Sequence, residues 1–538
     1  MKYDNIIIGA GPAGLQLGYF FKKLNINYVI LERNNIAGSF FDKFPHSGKL
    51  ISINKRHVGS DIPDFKLRHD WNSLLSDENL LFTDYSKDFY PDKKDLVRYL
   101  NDFATKNNLN ILYGTNVLGI DKVNDNSEIN YKLKVKNKEN EEEIYECNKL
   151  ICATGLSKPI YLDEPNYKRN ISYNIINPIK HYYDFDKDYF LDEENLKKYI
   201  NKKVLIIGGG NAGYELANIL NNYASHIRIF QDIKKKLSLS SNYTGDIRAV
   251  YLSFLDTFYL KSLNSIYDGG EDLLITQEDK ESQYKVKVGC YGFLFSKIDY
   301  FDFIICTTGW NFDNSIFNFP VYMIDNKKYP KINYNYESYN NKNLFFIGTL
   351  MHSLDFKKSS GGFIHGFRYL IKYFVNLNYD RNFNIKNFNY INLEEIVHHI
   401  VYKINNSSAI YQMHGVLCDL ICFDKNTKEI KYYNDVSSDY FFYDNIIKNK
   451  KDKLFINITL EFSKNKIVDI TKLNIKHSEK GFENNAKLIH PIFRIYSFIN
   501  NMDKLIEEQH LDEDLNAEFI EKEKYFDRIL RILRMFLF

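Results

Sequence analysis

Three glycines and an acid within the first 32 residues have the types and spacing to hold a dinucleotide. Gly9, Gly11 and Gly14 form a G-x-G-x-x-G run that includes Pro12 and Ala13, and Glu32 follows about 18 residues after Gly14. Gly9 suits a tight turn, Gly11 lets backbone approach a pyrophosphate, and Gly14 lets a helix lie close on a strand. The N–H groups that open such a helix point at the phosphates. A carboxylate at Glu32 can accept both hydroxyls of an adenosine ribose. The elements that must position these residues surround them. Ile6, Ile7 and Ile8 read as a buried parallel strand, followed by a helical pattern and a second apolar strand that ends at Glu32. Arg33 and the turn Gly38-Ser39-Phe40 come directly after the acid and join it as candidate cofactor contacts.

The pattern recurs. Val204 to Ile207 is apolar, then Gly208, Gly210 and Gly213 repeat the glycine spacing with Asn211 and Ala212 between them, and a helix is expected from Tyr214. The ribose position differs: the same step that leads from Gly14 to Glu32 leads from Gly213 to Gln231, with Asp232 one place late and Lys234, Lys235 and Lys236 beyond. A missing carboxylate and added cations favour a 2′-phosphate, hence NADPH over NADH. Two strands end in small residues, Ala153-Thr154-Gly155 and Thr308-Gly309, and a third apolar run ends at Gly348. Two dinucleotide patterns with such strand ends describe a flavin and nicotinamide oxidoreductase, the first site holding FAD and the second NADPH. The expected fold is α/β. Residues 1–160 and 300–380 form a discontinuous FAD-binding domain, 161–299 an NAD(P)H-binding domain, and 381–538 a C-terminal α+β domain of unassigned role.

Catalytic candidates follow the strand Leu50–Ile53. Asn54 carries a donor and an acceptor on one short side chain, which suits a flavin N5/O4 edge or a peroxide oxygen. Lys55 and Arg56 could neutralise phosphate or a reduced, anionic flavin; the same three residues read equally well as a polar loop with a solvated charge pair. Further on, Asp70 or Asn72 is expected to cap a helix starting at Trp71. An amphipathic helix should bury Leu96, Tyr99, Leu100 and Phe103. Ile111 to Leu118 reads as one strand and supplies Val117 as a cofactor contact, and Glu139 to Glu143 reads as a hairpin tip. Residues 237–263 read as helical, and Asp246 and Arg248 within them suggest no chemistry by spacing alone. His352, Gly361, Gly362 and His365 belong to the stretch after Gly348, where a helix from about Ile364 would aim its N–H groups at the flavin O2 edge. Arg528, Arg531 and Arg534 lie on a C-terminal helix, expected to dock on its own domain rather than on a membrane surface.

Composition sets bounds. The 538 residues carry 71 basic and 69 acidic side chains, a net charge of +2, which gives no reason to expect nucleic acid. No apolar run has the length of a membrane span. The six cysteines make no CxxC and no metal-ligating spacing, so they are expected to be reduced thiols, and no metal is expected. The first strand begins near residue 3, so no signal peptide is expected.

These motifs resemble the flavin-containing monooxygenase and Baeyer–Villiger class of flavoproteins. The likeness rests on the glycines from Gly9, an AGSF loop in place of GGxW, Asn54, GGGNAG from Gly208, and half of an FxGxxxHxxxW pattern. His181 and Phe185 fill the histidine and aromatic positions of that pattern, while Ile175 and Asn177 replace its Phe and Gly. Through LISINKR, RHDWNSLL, TGDIRAV, LDTFYLKSL and SSAIYQMHGVLCD the chain is more similar, from end to end, to the FAD-dependent oxidoreductase domain-containing protein 2 family, endoplasmic-reticulum flavoproteins linked to protein degradation. No signal peptide is expected ahead of the first strand and the sequence ends in MFLF rather than a retention tetrapeptide, so a cytoplasmic, bacterial-type enzyme is expected. The resemblance implies that NADPH reduces FAD and that oxygen forms a C4a-(hydro)peroxyflavin. One oxygen atom then passes to a small-molecule substrate. A reductase or oxidase acting on oxygen, a quinone or a partner protein is the alternative within enzymology. A flavin-stabilised adaptor is the alternative outside it. A homodimer, or a protein partner bound through the C-terminal domain, stays open.

Overall fold

The computed structural model describes residues 1–78, 80–123, 130–163, 171–231, 236–255, 265–267, 272–290, 295–324, 328–380, 385–388, 392–442, 450–462, 488–499, 502–511 and 522–537. Ile6, Ile7 and Ile8 are buried in the strand Lys2–Ile8. It pairs in parallel with Tyr28–Leu31 on one side and Glu142–Cys152 on the other. Ile111–Leu112 extends this sheet past Tyr28–Leu31, and Leu344–Phe346 pairs in parallel with the end of Glu142–Cys152. The earlier half of Glu142–Cys152 forms an antiparallel ribbon with Tyr131–Lys136 and Asn116–Lys122. The sheet thus has seven strands, with its purely parallel part buried on both faces. Helix Pro12–Lys23 packs on helix Ile364–Asn378 over one face. Helix Lys93–Lys106 buries the four expected residues, Leu96, Tyr99, Leu100 and Phe103.

A second, all-parallel sheet is built around Lys203–Ile207, with His226–Phe230 and Phe303–Cys306 as its neighbours and Ser265–Tyr267 and Lys180–His181 at the edges. Val204 and Ile206 face the helix residues Leu216 and Leu220. Leu205 and Ile207 face the other way, onto Leu273, Val286 and Val288 of a smaller sheet. This alternation of two buried faces is why the strand reads as an unbroken apolar run. The two sheets, each with a Rossmann-like parallel core, make the fold α/β.

The third layer is a six-stranded antiparallel sheet that includes Leu417–Asp424, Ile430–Ser437, Lys453–Glu461 and His490–Ile499. One face carries helices Leu393–Asn406 and Lys522–Leu537, whose Ile529 and Leu533 are wholly buried. The C-terminal helix is therefore docked on its own sheet. The opposite face sends Cys418, Leu420 and Phe455 into the same core as Tyr373 and Phe374 of helix Ile364–Asn378.

Four local expectations change. The helix near Trp71 precedes it, at Pro63–His69. Pro63 pre-sets the first turn, and the Asp70 carboxylate accepts from the Asn72 and Ser73 N–H groups, each at 3.0 Å, in a turn beyond the helix end. The strand expected over Ile111 to Leu118 is broken at Gly114, whose φ is +65°; Thr115 N–H bonds to Glu32 O at 2.8 Å and redirects the chain. The helix expected from Tyr214 already starts at Asn211. The helix expected over 237–263 is a single turn, Ser238–Ser241, ended by left-handed Asn242, and then a 3-10 stretch, Ala249–Leu255; residues 256–263 lie outside the described residues.

Candidate functional site

The two glycine turns are built alike. Gly9 has φ +103°, and its N–H donates to Leu31 O at 2.8 Å. A Cβ on Gly14 would stand 2.0 Å from Gly9 O, so the helix can cross the turn only without a side chain there. Gly208 has φ +122°, its N–H donates to Phe230 O at 2.8 Å, and a Cβ on Gly213 would stand 2.1 Å from Gly208 O. At Gly11 and Gly210 an added Cβ would meet no protein atom within 4 Å. The outer glycines of each turn are thus required by the protein itself, while the middle one faces open space. The strand ends also correspond: Ala153 N–H donates to Ile8 O at 2.9 Å, and Thr307 N–H to Ile207 O at 2.8 Å. Thr307 Oγ1 also donates to Gly208 O at 2.7 Å, a support for the second turn that the sequence reading, centred on Thr308 and Gly309, missed. The Thr308 hydroxyl bonds instead to Ile160 O.

A cavity of about 480 Å³ opens beside the first turn, lined by Gly9, Gly11, Pro12, Glu32, Arg33, Gly38, Ser39, Phe40, Val117, Ala153 and Thr154. Sequence positions spread over the first 154 residues therefore converge on one space. Ala13 and Gly14 lie in the helix Pro12–Lys23, and Gly348, at φ +70°, approaches that helix so closely that a Cβ would stand 2.4 Å from Ala13 Cβ. Gly155 and Gly309 have φ of +62° and +90° with no atom within 4 Å of an added Cβ. Glu32 is buried at the strand end; Oε2 accepts from Ala10 N–H at 2.8 Å and Oε1 from Asn34 N–H at 3.0 Å. Oε1 also accepts from Asn34 Nδ2 at 3.1 Å and Ser39 Oγ at 3.3 Å, so Oε2, with its single donor, is the oxygen that keeps a lone-pair site for a hydroxyl. Thr154 Oγ1 and Trp310 Nε1, on residues that line this cavity, are buried without a hydrogen-bond partner. Open space at Gly11, a carboxylate at the strand end and unpartnered polar atoms nearby fit an adenine dinucleotide such as FAD.

Asn54 is buried, and its Nδ2 donates to Ser86 O at 2.9 Å and Asp88 O at 3.2 Å. Both acceptors are backbone carbonyls, which fixes the amide orientation and leaves Oδ1 as a buried acceptor without a partner. Of the donor and acceptor expected of Asn54, only the acceptor is therefore free. Neither Asn54 nor Lys55 and Arg56, which are exposed just beyond it, line the cavity beside the first turn. Trp71 stacks on His365, with centroids 4.3 Å apart, and His365 has neither ring nitrogen bonded. Burial, with Arg368 and Arg248 close by, keeps this imidazole neutral by pushing its pKa well down. The Arg248 guanidinium lies 5.1 Å from the Trp71 ring and donates to Ile51 O at 2.8 Å. This role was missed because its partners are far away in sequence. Asn211 donates to Asp246 O at 3.0 Å and accepts from Arg248 N–H at 2.9 Å, so the second glycine turn is tied to this segment.

Gln231 is buried, with Tyr214 Oη 3.4 Å from its Oε1. Lys236 is among the described residues, while Asp232, Lys234 and Lys235 lie outside them. His181 is buried and its Nδ1 accepts from Tyr183 N–H at 3.0 Å; burial lowers its pKa to about 4. Cys147, Cys152, Cys306, Cys418 and Cys422 are free and buried, and desolvation raises each thiol pKa. No helix among the described residues is long and apolar enough to cross a membrane.

Comparison with known proteins agrees with this architecture. The family profile described as pyridine nucleotide-disulphide oxidoreductase matches residues 6–348. FAD-dependent oxidoreductase domain-containing protein 2 of Mus musculus is 32% identical over 528 residues, covering 92% of this chain and 76% of that protein. Its Danio rerio counterpart is 32% identical over 467 residues, 78% of this chain and 65% of that protein. The ornithine N-hydroxylase of Kutzneria sp. 744 superposes with a TM-score of 0.51 at 12% identity, over 71% of this chain and all of that one (100%), which is a likeness of fold. FAD and a pyridine nucleotide are the cofactors that the family implies. The chain belongs to the pyridine nucleotide-disulphide oxidoreductase family, as a homologue of FAD-dependent oxidoreductase domain-containing protein 2.

Proposed function

We propose that the chain is an FAD-dependent monooxygenase that consumes NADPH and molecular oxygen and places one oxygen atom on a small-molecule substrate. The observation that supports this reading best is the pair of equivalent glycine turns, each closed by its own strand end and each open only at its middle glycine. FAD, when bound, supplies hydride acceptance and oxygen activation. The protein's own contribution is to hold, orient and exclude water. Gly9, Gly11 and Glu32 would hold the adenosine and pyrophosphate of FAD, and Gly208, Gly210 and Asn211 would hold NADPH. The absence of an acid at Gln231 favours NADPH over NADH. Asn54 Oδ1, a buried acceptor without a partner, would accept a hydrogen bond from an N–H of the flavin edge. Transfer through the chain's own thiols is disfavoured, because the described free cysteines are buried and their thiolates suppressed.

The test is rapid mixing of the purified, NADPH-reduced holoenzyme with oxygen. Wild type is expected to pass through an absorbing species distinct from oxidised and reduced flavin. One-step reoxidation without such a species would replace the monooxygenase reading with that of a reductase or oxidase. An enzyme reduced faster by NADH than by NADPH would overturn the coenzyme assignment.

A further inference from the structure

The segment after the second glycine turn carries a hydrogen-bonded chain that the site described above does not use. Tyr243 Oη lies 2.9 Å from His352 Nε2, and His352 Nδ1 lies 2.7 Å from Asp355 Oδ1. Asp355 Oδ2 in turn accepts from Ser359 Oγ at 3.0 Å. The Lys357 backbone N–H, which can only donate, also approaches His352 Nε2, at 3.5 Å. Nε2 is therefore the accepting nitrogen and Nδ1 the protonated one, so the Tyr243 hydroxyl donates to the imidazole and the imidazole donates to the carboxylate. All three side chains are buried. Two glycines make room for them: a Cβ on Gly361 would stand 2.2 Å from Asp355 Oδ2, and one on Gly362 would stand 2.9 Å from the His352 ring.

The chain's position matters as much as its geometry. Tyr243 is held near the second glycine turn, since Asn211 bonds the carbonyls of Gly245 and Asp246. His352 follows Gly348, which abuts Ala13 of the first glycine turn. The Tyr243 ring also meets Phe363, the residue before helix Ile364–Asn378, edge-on at 6.1 Å. The three residues thus span the junction between the segments that carry the two dinucleotide turns, where two bound ring systems must meet for hydride transfer.

We propose that Tyr243, His352 and Asp355 form a proton relay for the oxidative half of the reaction. This rests on the flavin-dependent reading above. In that reading NADPH, one solvent proton, dioxygen and substrate give NADP+, water and oxygenated substrate. NADPH supplies both electrons and one hydrogen nucleus as hydride, so each turnover needs one further proton. When the imidazole takes up the solvent proton at Nε2 it becomes the donor to the Tyr243 oxygen and frees the hydroxyl proton; as the Tyr243 O–H bond then breaks, an O–H bond forms on the oxygen atom that leaves as water. His352, protonated at Nε2 from solvent, returns that proton to the Tyr243 oxygen. Asp355 stays a carboxylate, bonded to Nδ1–H throughout. The demand is the same if dioxygen leaves as hydrogen peroxide. His352 and Asp355 are positioning residues in this scheme.

The test compares wild type with Tyr243→Phe and Asp355→Asn. Reoxidation by oxygen is followed after reduction with NADPH and, separately, with dithionite, in water and in deuterium oxide. Tyr243→Phe should be reduced at a near-normal rate yet reoxidise about a hundredfold more slowly, with the solvent isotope effect of wild type lost. Imidazole 15N signals of the flavin-free protein give a readout independent of turnover: His352 should show the Nδ1-protonated tautomer, and Tyr243→Phe should shift its Nε2 signal. If Tyr243→Phe reoxidises like wild type after dithionite, or if both half-reactions and flavin content fall together, the relay is refuted. If wild type fails to react with NADPH but Tyr243→Phe still slows reoxidation after dithionite, the coenzyme reading fails and the relay stands.

Discussion

Gly11 and Gly14 sit three residues apart in one motif, yet the structure asks opposite things of them. A Cβ on Gly14 would press to within 2.0 Å of the Gly9 carbonyl oxygen, while at Gly11 it would meet no protein atom within 4 Å. Gly14→Ala should therefore destabilise the protein by about 3 kcal/mol, as overpacking against backbone does. Gly11→Val should leave the melting temperature of the flavin-free protein within about 2 °C of wild type. It should also lower FAD affinity by at least about tenfold, roughly 1.4 kcal/mol. Flavin absorbance after purification and FAD titration of the apoprotein measure this, and a Gly11→Val protein that retains full flavin would place the cofactor elsewhere. Asn54 gives the second prediction at this scale. Its Nδ2 is already committed to Ser86 and Asp88 carbonyls, so only Oδ1 is free to act. Asn54→Asp keeps an acceptor there but removes the donor, leaving two carbonyls unpaired and setting a carboxylate against them. Asn54→Ala removes both. Each should be reduced by NADPH at a near-normal rate and release more hydrogen peroxide per NADPH consumed than wild type. Equal peroxide yields in all three proteins would remove Asn54 from the chemistry.

At the scale of elements, the loop after Gly38 is joined to the start of the second parallel sheet through His46, and both His46 and the neighbouring His181 are held neutral by burial. His46 Nε2 donates to Tyr182 O at 2.9 Å, its Nδ1 has no partner, and burial lowers its pKa to about 4. The next residue before Tyr182, His181, is buried to the same effect. In the unfolded chain each takes a proton near pH 6.5, whereas the folded chain resists protonation until about pH 4. Between these values the unfolded state binds more protons, so stability is complete above about pH 6.5 and is lost as pH falls toward 4, by at most about 3 kcal/mol per histidine. Melting temperature should fall between pH 7 and pH 5, and His46→Gln should flatten that slope; a protein that melts higher at pH 5 would contradict it. Neither histidine pairing was legible in the sequence. The glycine turns were, because their physics is local: strand, turn and helix follow one another within about fifteen residues and each demands particular residue types. Thr307 beneath Gly208, Arg248 over Trp71 and Tyr243 beside His352 join segments about a hundred residues or more apart. No periodicity in one segment encodes a partner in another.

On the scale of the whole molecule, the C-terminal sheet is not held by apolar contact alone. Arg68, on helix Pro63–His69, is buried and donates to Ser407 O at 3.0 Å and Ile404 O at 2.7 Å, where helix Leu393–Asn406 ends. A guanidinium at the carbonyl end of a helix also meets the negative end of its dipole. Arg368 reaches the opposite way, to Leu67 O at 2.7 Å, Asp70 O at 3.0 Å and Ser73 O at 2.7 Å. Asp64 Oδ1 accepts from Ser408 N–H at 3.2 Å. The segment 63–73 thus lies between helix Ile364–Asn378 and the C-terminal helices, with Asn54 beside it: the N–H of Trp71, within the segment, bonds to Ile53 O at 3.1 Å. Removing the Arg68 side chain would leave two carbonyls unpaired in a buried setting, at a cost of about 3 kcal/mol. Because the lower face of the C-terminal sheet shares its core with Tyr373 and Phe374, that loss should be felt by the entire chain. Arg68→Met is therefore expected to lower one common unfolding transition, read identically by flavin release and by far-ultraviolet dichroism. A chain ended after residue 380 should be insoluble, since it exposes the apolar face that Leu420 and Phe455 now cover. Two separate transitions in wild type, with only the later-losing flavin in one of them, would show instead that the C-terminal sheet unfolds on its own and that Arg68 does not bind the two together.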